Sequence, residues 1–162
     1  MLLNFNQVHG VRFIFAEKHR KKRILVSRVL NMNAIEQAIY NAIQAAGDTP
    51  LANKAYLEFI KANFIIPIEK SSVLEEPKVL YLESHQQVFL PVFTSMAYFD
   101  DWANPIKDDI ELLKLSGVDL LKGIGDDIIV SLNIGSPIYK EFNPGELARM
   151  RSMVLKLFGN NA

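Results

Sequence analysis

VFLPVFTS, Val88 to Ser95, and IIVSLNIGSP, Ile128 to Pro137, decide the fold, because each is an apolar run of strand length that closes on a sharp turn. Val88 to Phe93 is apolar at every position, as expected of a strand covered on both faces of its sheet. Pro91 lies in the middle of that run and has no N–H for a ladder. The strand therefore meets an edge at that point or carries a bulge.

Moving toward the N-terminus, Asn33 can cap a helix and Glu36, three residues on, can return the bond, while Ile35, Ala38, Ile39, Ala42, Ile43 and Ala46 form one apolar stripe. Gly47 supplies the stop. Thr49 and Pro50 restart a helix, and Leu51, Ala55, Phe59 and Ile60 continue the buried side. Strands follow at Phe64 to Glu69, Val79 to Glu83 and Val88 to Thr94; the short gaps between them favour antiparallel neighbours. Ser95 opens a short helix on which Phe99 and Trp102 face the same way, until Asn104 and Pro105 end it. Ile110 to Leu115 reads as a strand or a short helix, and Ser116 as the cap of a helical turn through Lys122. Asn143, Pro144 and Glu146 start the last helix, whose stripe is Leu147, Met150, Val154, Leu157 and Phe158. The expected fold is α+β: a mixed, largely antiparallel sheet flanked by helices.

With 162 residues, 49% of them hydrophobic and 22% charged, the chain suits one hydrophobic core burying roughly 70% of the surface of the extended polypeptide. Eighteen basic and eighteen acidic side chains cancel, so global charge gives no footprint for nucleic acid. The absence of cysteine excludes disulfides, thiol catalysis and thiolate metal sites, and fits a reducing compartment. No apolar stretch reaches the roughly 18 residues that span a bilayer, and no secretion leader is recognisable, so a cytoplasmic location is expected.

Residues 1–31 read as an extension and 32–162 as the domain proper. Within the extension, Val11 to Ala16 and Ile24 to Leu30 bracket Lys18, His19, Arg20, Lys21, Lys22 and Arg23. This is a hairpin with a basic tip, a loose arm, or sequence ahead of a start at Met32. Lys18, Arg20, Lys21, Lys22 and Arg23 form the one run able to contact a polyanion, but without interleaved aromatics a solvated tip is favoured.

The helix NAIEQAI (33–39), the segment AYLEFIKANFIIPIE (55–69), FLPVFTS (89–95) with Trp102 downstream, VSLNIGSP (130–137) and the helix NPGELARM (143–150) occur in order. As a set they resemble the N-terminal domain of the SseB family, bacterial proteins named for enhanced serine sensitivity. The likeness covers about Asn33 to Met150. Ile134 stands where the family turn carries proline between its asparagine and glycine, and the C-terminal domain common in full-length members is not expected here. The resemblance implies an α+β fold and a bacterial origin, and brings no catalytic residue, cofactor or substrate.

The paired acids Asp100 with Asp101, Asp108 with Asp109, and Asp126 with Asp127 diverge on any regular element, so solvated turns are preferred to a metal site. Gly123, Ile124 and Gly125 lack the third glycine of a dinucleotide fingerprint and precede two acids, which favours a plain turn over a phosphate cradle. His9, His19 and His85 have no ligand spacing, and Ser136 is not in a nucleophile elbow. No metal or cofactor site is expected, and a non-enzyme is preferred. Aromatics near the turns, Tyr98, Tyr139 and Phe142, are the candidate partner anchors, weighed against completing the core. The preferred reading is a non-catalytic protein-interaction or accessory module of a bacterial cytoplasmic assembly, with a homo-oligomer compatible. The alternative is an amino-acid sensor or an enzyme linked to amino-acid metabolism.

Overall fold

The computed structural model describes residues 2–4, 31–70 and 76–159. Its elements run β1 (Leu2–Asn4), α1 (Ala34–Gln44), α2 (Thr49–Lys61), β2 (Asn63–Glu69), β3 (Tyr81–Ser84), β4 (Gln87–Val92), α3 (Met96–Ala103), a 3-10 turn (Asn104–Ile106), β5 (Ile110–Ser116), α4 (Gly117–Gly123), β6 (Ile128–Leu132), β7 (Lys140–Phe142) and α5 (Pro144–Phe158). The basic run Lys18 to Arg23 lies outside the described residues.

The main sheet has the order β1-β3-β4-β6-β7, and β2 pairs with β5 in a second ribbon. The pairs β3–β4, β6–β7 and β2–β5 are antiparallel, whereas β1–β3 and β4–β6 are parallel. This is the mixed, largely antiparallel sheet of an α+β fold. Two bridges, Ile65 to Phe93 and Ile68 to Val79, tie the ribbon to the main sheet. The strand Leu2–Asn4 beside β3 had no counterpart in the sequence reading, since three residues are too few for a period. Ile110 to Ser116 resolves the choice left open there as a strand.

Pro91 sits where its ring does no harm. Phe89 is the last residue of β4 opposite β3, and Phe93 is the first to meet β2, bonding Ile65 in both directions at 2.9 Å. The missing N–H at Pro91 falls in the gap between those partners, on the side away from β6. The edge expected at this position is thus present within a strand that is otherwise interior.

Among the described residues, side chains from both sheets and from α1 to α5 share one core. Phe59, Phe64, Phe93 and Phe142 are fully buried. Phe59 packs on Phe64 with centroids 4.6 Å apart and edge-on against Phe142 at 5.0 Å. Phe93 meets Phe99 at 5.6 Å and Trp102 at 5.1 Å, so the two α3 aromatics do face inward together. On α5, Leu147, Met150 and Val154 are buried, but Leu157 and Phe158 are 57% and 59% exposed. Periodicity predicted burial for both; the helix runs past the described residues that would cover its last turn. The helix restarts at Thr49 as expected, with Asp48 as the cap of α2, accepting from Leu51 N–H at 2.9 Å.

Gly117 joins β5 to α4 by close approach. Its N–H donates to Ala62 O at 2.8 Å. A Cβ there would collide with Phe59 O and lie 2.9 Å from Ile60 O, at the end of α2. Only glycine permits that contact.

Candidate protein-interaction site

Two of the three expected anchor aromatics are core residues. Tyr98 is 6% exposed, on the inner side of α3, and Phe142 is wholly buried against Phe59, so neither stands at a rim. Their apolar rings gain more from the interior than from water. Tyr139 is half-buried, and its hydroxyl donates to Glu141. Burial raises its pKa, the bond to Glu141 raises it further, and Ser131 pulls the other way. Tyr139 alone of the three reaches the surface.

The expected acid pairs also find their places. Among the described residues no group of carboxylates and histidines is arranged to hold a metal. Asp126 lies 3.3 Å from Arg151 at the surface. The turn at Gly123 to Gly125 is the C-terminal end of α4, and Arg151 reaches across to it, donating to Leu121 O at 2.8 Å and Ile124 O at 2.9 Å. Carbonyl oxygens, not N–H groups, point outward at such an end, which is the wrong polarity for phosphate.

A polar node, by contrast, is built from the quoted motifs. Asn33 and Glu36 form the capping box of α1, with Glu36 N–H on Asn33 Oδ1 at 3.0 Å and Asn33 N–H on Glu36 Oε2 at 3.1 Å. Unlike Glu146 in its counterpart on α5, the glutamate of this box is buried: Glu36 is 5% exposed. Its second oxygen, Oε1, accepts from Thr94 Oγ1 at 2.6 Å. Thr94 Oγ1 accepts in turn from Asn133 Nδ2 at 2.9 Å, and Asn133 Oδ1 receives Thr94 N–H at 3.0 Å. Asn33 Nδ2 completes the set on Thr94 O at 3.3 Å.

That network explains the sequence at both strand ends. Asn133 takes φ +51°, which asparagine tolerates, and its N–H bonds Val92 O at 2.8 Å. Gly135 keeps the positive φ of the turn at +80°. Ile134 is 4% exposed, so the turn gives up a preset proline angle for an apolar contact with the core. The interior is a poor place for a carboxylate unless each oxygen finds a donor, and here both do. The pattern of residues disclosed the capping box but not its partners, because Thr94 and Asn133 lie 58 and 97 residues downstream of Glu36, counting along the chain.

The node fixes the chain just before α3, and α3 forms one wall of a surface groove. Met96, Phe99 and Ala103 line that wall; Ile110 and Leu112 of β5 line the other. The groove encloses about 380 Å³. Met96 and Leu112 are 40% and 38% exposed, so both walls present a large apolar side chain to solvent. Asp100 and Glu111 stand along it with Lys107. Motif reading missed this site, since its apolar residues come from a helix and a strand with no shared spacing.

An α+β domain whose strand-end motifs interlock through buried Glu36, Thr94 and Asn133 is the class defined by these observations. The family model for the SseB protein N-terminal domain matches residues 37–149, and the chain belongs to that family. No curated protein and no solved structure was matched by the chain.

Proposed function

We propose that the domain is a non-catalytic protein-interaction or accessory module of a bacterial cytoplasmic assembly, and that it engages its partner through the groove between α3 and β5. The observation that supports this is that the two walls of the groove each carry an exposed large apolar side chain, Met96 on one and Leu112 on the other, beside the buried Phe99, Ala103 and Ile110. Apolar surface left in water is released on contact with another apolar surface, at ~25 cal/mol per Å². A groove left open to solvent between a helix and a strand suits a polypeptide better than a small molecule, whose pockets bury most of the ligand. Among the described residues no helix is long and apolar enough to cross a membrane.

Tyr139 is a secondary contact on this reading, half-exposed and held in place by Glu141. Photo-crosslinking tests the placement. A benzophenone side chain at position 112 gives a discrete adduct with a partner, and Met96→Glu removes it while the fold persists. Adducts that ignore Met96→Glu, or that form equally from Lys54 on the exposed side of α2, would overturn the groove as the partner site.

A further inference from the structure

We infer that the outer edge of β5 accepts an extended segment of a protein partner as an added strand, apolar at alternate positions and flanked by lysine or arginine. This rests on the groove being the partner site. The register of the ribbon shows which backbone groups are free to do it. Lys70 N–H donates to Asp109 O at 3.0 Å and Gly117 N–H to Ala62 O at 2.8 Å, so the odd-numbered residues of β5 turn their backbone groups toward β2. The N–H and C=O of Ile110, Leu112 and Lys114 therefore face the other way. Among the described residues no strand pairs with that side.

Pro67 agrees with this parity. It stands opposite Leu112, and its carbonyl accepts from Leu80 N–H at 3.0 Å, away from β5. An edge of this kind is a template for another strand. The groove runs beside it, so alternate side chains of the added strand pack onto Met96, Phe99 and Ala103, while main-chain bonds form to Leu112 and Lys114. Charge selects the flanks. Asp100 and Glu111 line the groove, and Asp108 and Asp109 are exposed on the turn that leads into β5, outnumbering Lys70, Lys107 and Lys114. A segment with acidic ends meets net repulsion there, and a basic one attraction.

The test uses the whole chain and two labelled peptides, Lys-Lys-Val-Thr-Val-Thr-Val-Lys-Lys and its counterpart with glutamate in place of lysine, followed by fluorescence anisotropy. The basic peptide binds saturably and about tenfold tighter than the acidic one at ~0.15 M salt, and the ratio shrinks near 1 M, where screening acts within about 3 Å. Amide exchange at Leu112 and Lys114 slows on binding. Leu112→Pro deletes an outward N–H without touching the β2 ladder and lowers affinity about tenfold or more. Asp100→Lys with Glu111→Lys, both at exposed positions, inverts the peptide preference, which keeps the test decisive should the proline variant unfold. Equal affinity for the two peptides, no binding of either, or unchanged exchange at Leu112 and Lys114 overturns strand addition. With the benzophenone kept at position 112, Lys114→Pro deletes the other outward N–H: if Met96→Glu abolishes the crosslinked adduct while Lys114→Pro leaves it intact, the groove stands and strand addition falls; if neither variant alters the adduct, both fall.

Discussion

Thr94→Val removes one hydroxyl from the buried node and leaves the side-chain volume nearly unchanged. Two groups lose their partner: Glu36 Oε1, now 2.6 Å from that hydroxyl, and Asn133 Nδ2, at 2.9 Å. A buried group stripped of its hydrogen bond costs about 1–3 kcal/mol, and more when it is charged. The bond from Thr94 N–H to Asn133 Oδ1 survives. The sum is about 3–4 kcal/mol, a large share of the roughly 5–15 kcal/mol that holds a domain folded. For a chain of this size it lowers Tm by roughly 10 °C. Trp102 is the one tryptophan and is buried, so its fluorescence reports urea unfolding directly. The midpoint falls while the m-value stays constant. Thr94→Ser keeps the hydroxyl and gives up a methyl, and so loses only ~1 kcal/mol. A Thr94→Val midpoint equal to that of Thr94→Ser would refute the claim that the hydroxyl, rather than the methyl, secures the strand ends.

Two further outcomes are expected. Gly117→Ala drives a methyl into the carbonyl of Phe59, which is backbone and cannot swing aside; stability falls by about 3 kcal/mol or more by calorimetry, whereas Gly123→Ala, with open space around it, changes little. The hydroxyls of Tyr139 and Tyr56 both have pKa values raised by burial first and by their carboxylate partners Glu141 and Glu146 second. The native state therefore holds these protons more tightly than the unfolded chain does: the contribution is complete below about pH 10, the usual tyrosine value, and is lost as pH climbs through the raised native values. Alkaline melts of wild type and Tyr139→Phe check this, since the variant loses less stability above pH 10.

The helices and most strands were legible because their signals are local. Asn33 with Glu36 and Asn143 with Glu146 do form both capping boxes, and Ser116 caps α4 by accepting from Asp119 N–H at 3.1 Å. Ser95, equally well placed in sequence, opens α3 without any side-chain cap bond. The family motifs were legible too, as a set in fixed order. Tertiary pairing was not: nothing near Glu36 announces Thr94 or Asn133, and nothing near Leu112 says that its backbone faces outward. Tyr98 and Phe142 were misplaced for the same reason, since an aromatic beside a turn has the same sequence neighbours whether it is tucked under the sheet or left outside. Leu157 and Phe158 erred in the opposite direction, because a stripe predicts one face of a helix but not how far the neighbour beneath it extends.

Both walls of the groove belong to a single excursion of the chain, the stretch from Met96 to Ser116 that leaves β4 and returns, through α4, to its parallel neighbour β6. The sheet itself is pinned elsewhere, by the contacts of Glu36, Thr94 and Asn133 at the strand ends. Insertions or substitutions in the Asn104–Ile106 turn can therefore widen, narrow or recharge the trough while the remainder of the domain keeps its shape. Where the groove holds a partner, as proposed, such an arrangement lets the partner be changed by altering a detour, with no need to rebuild the frame from which it departs.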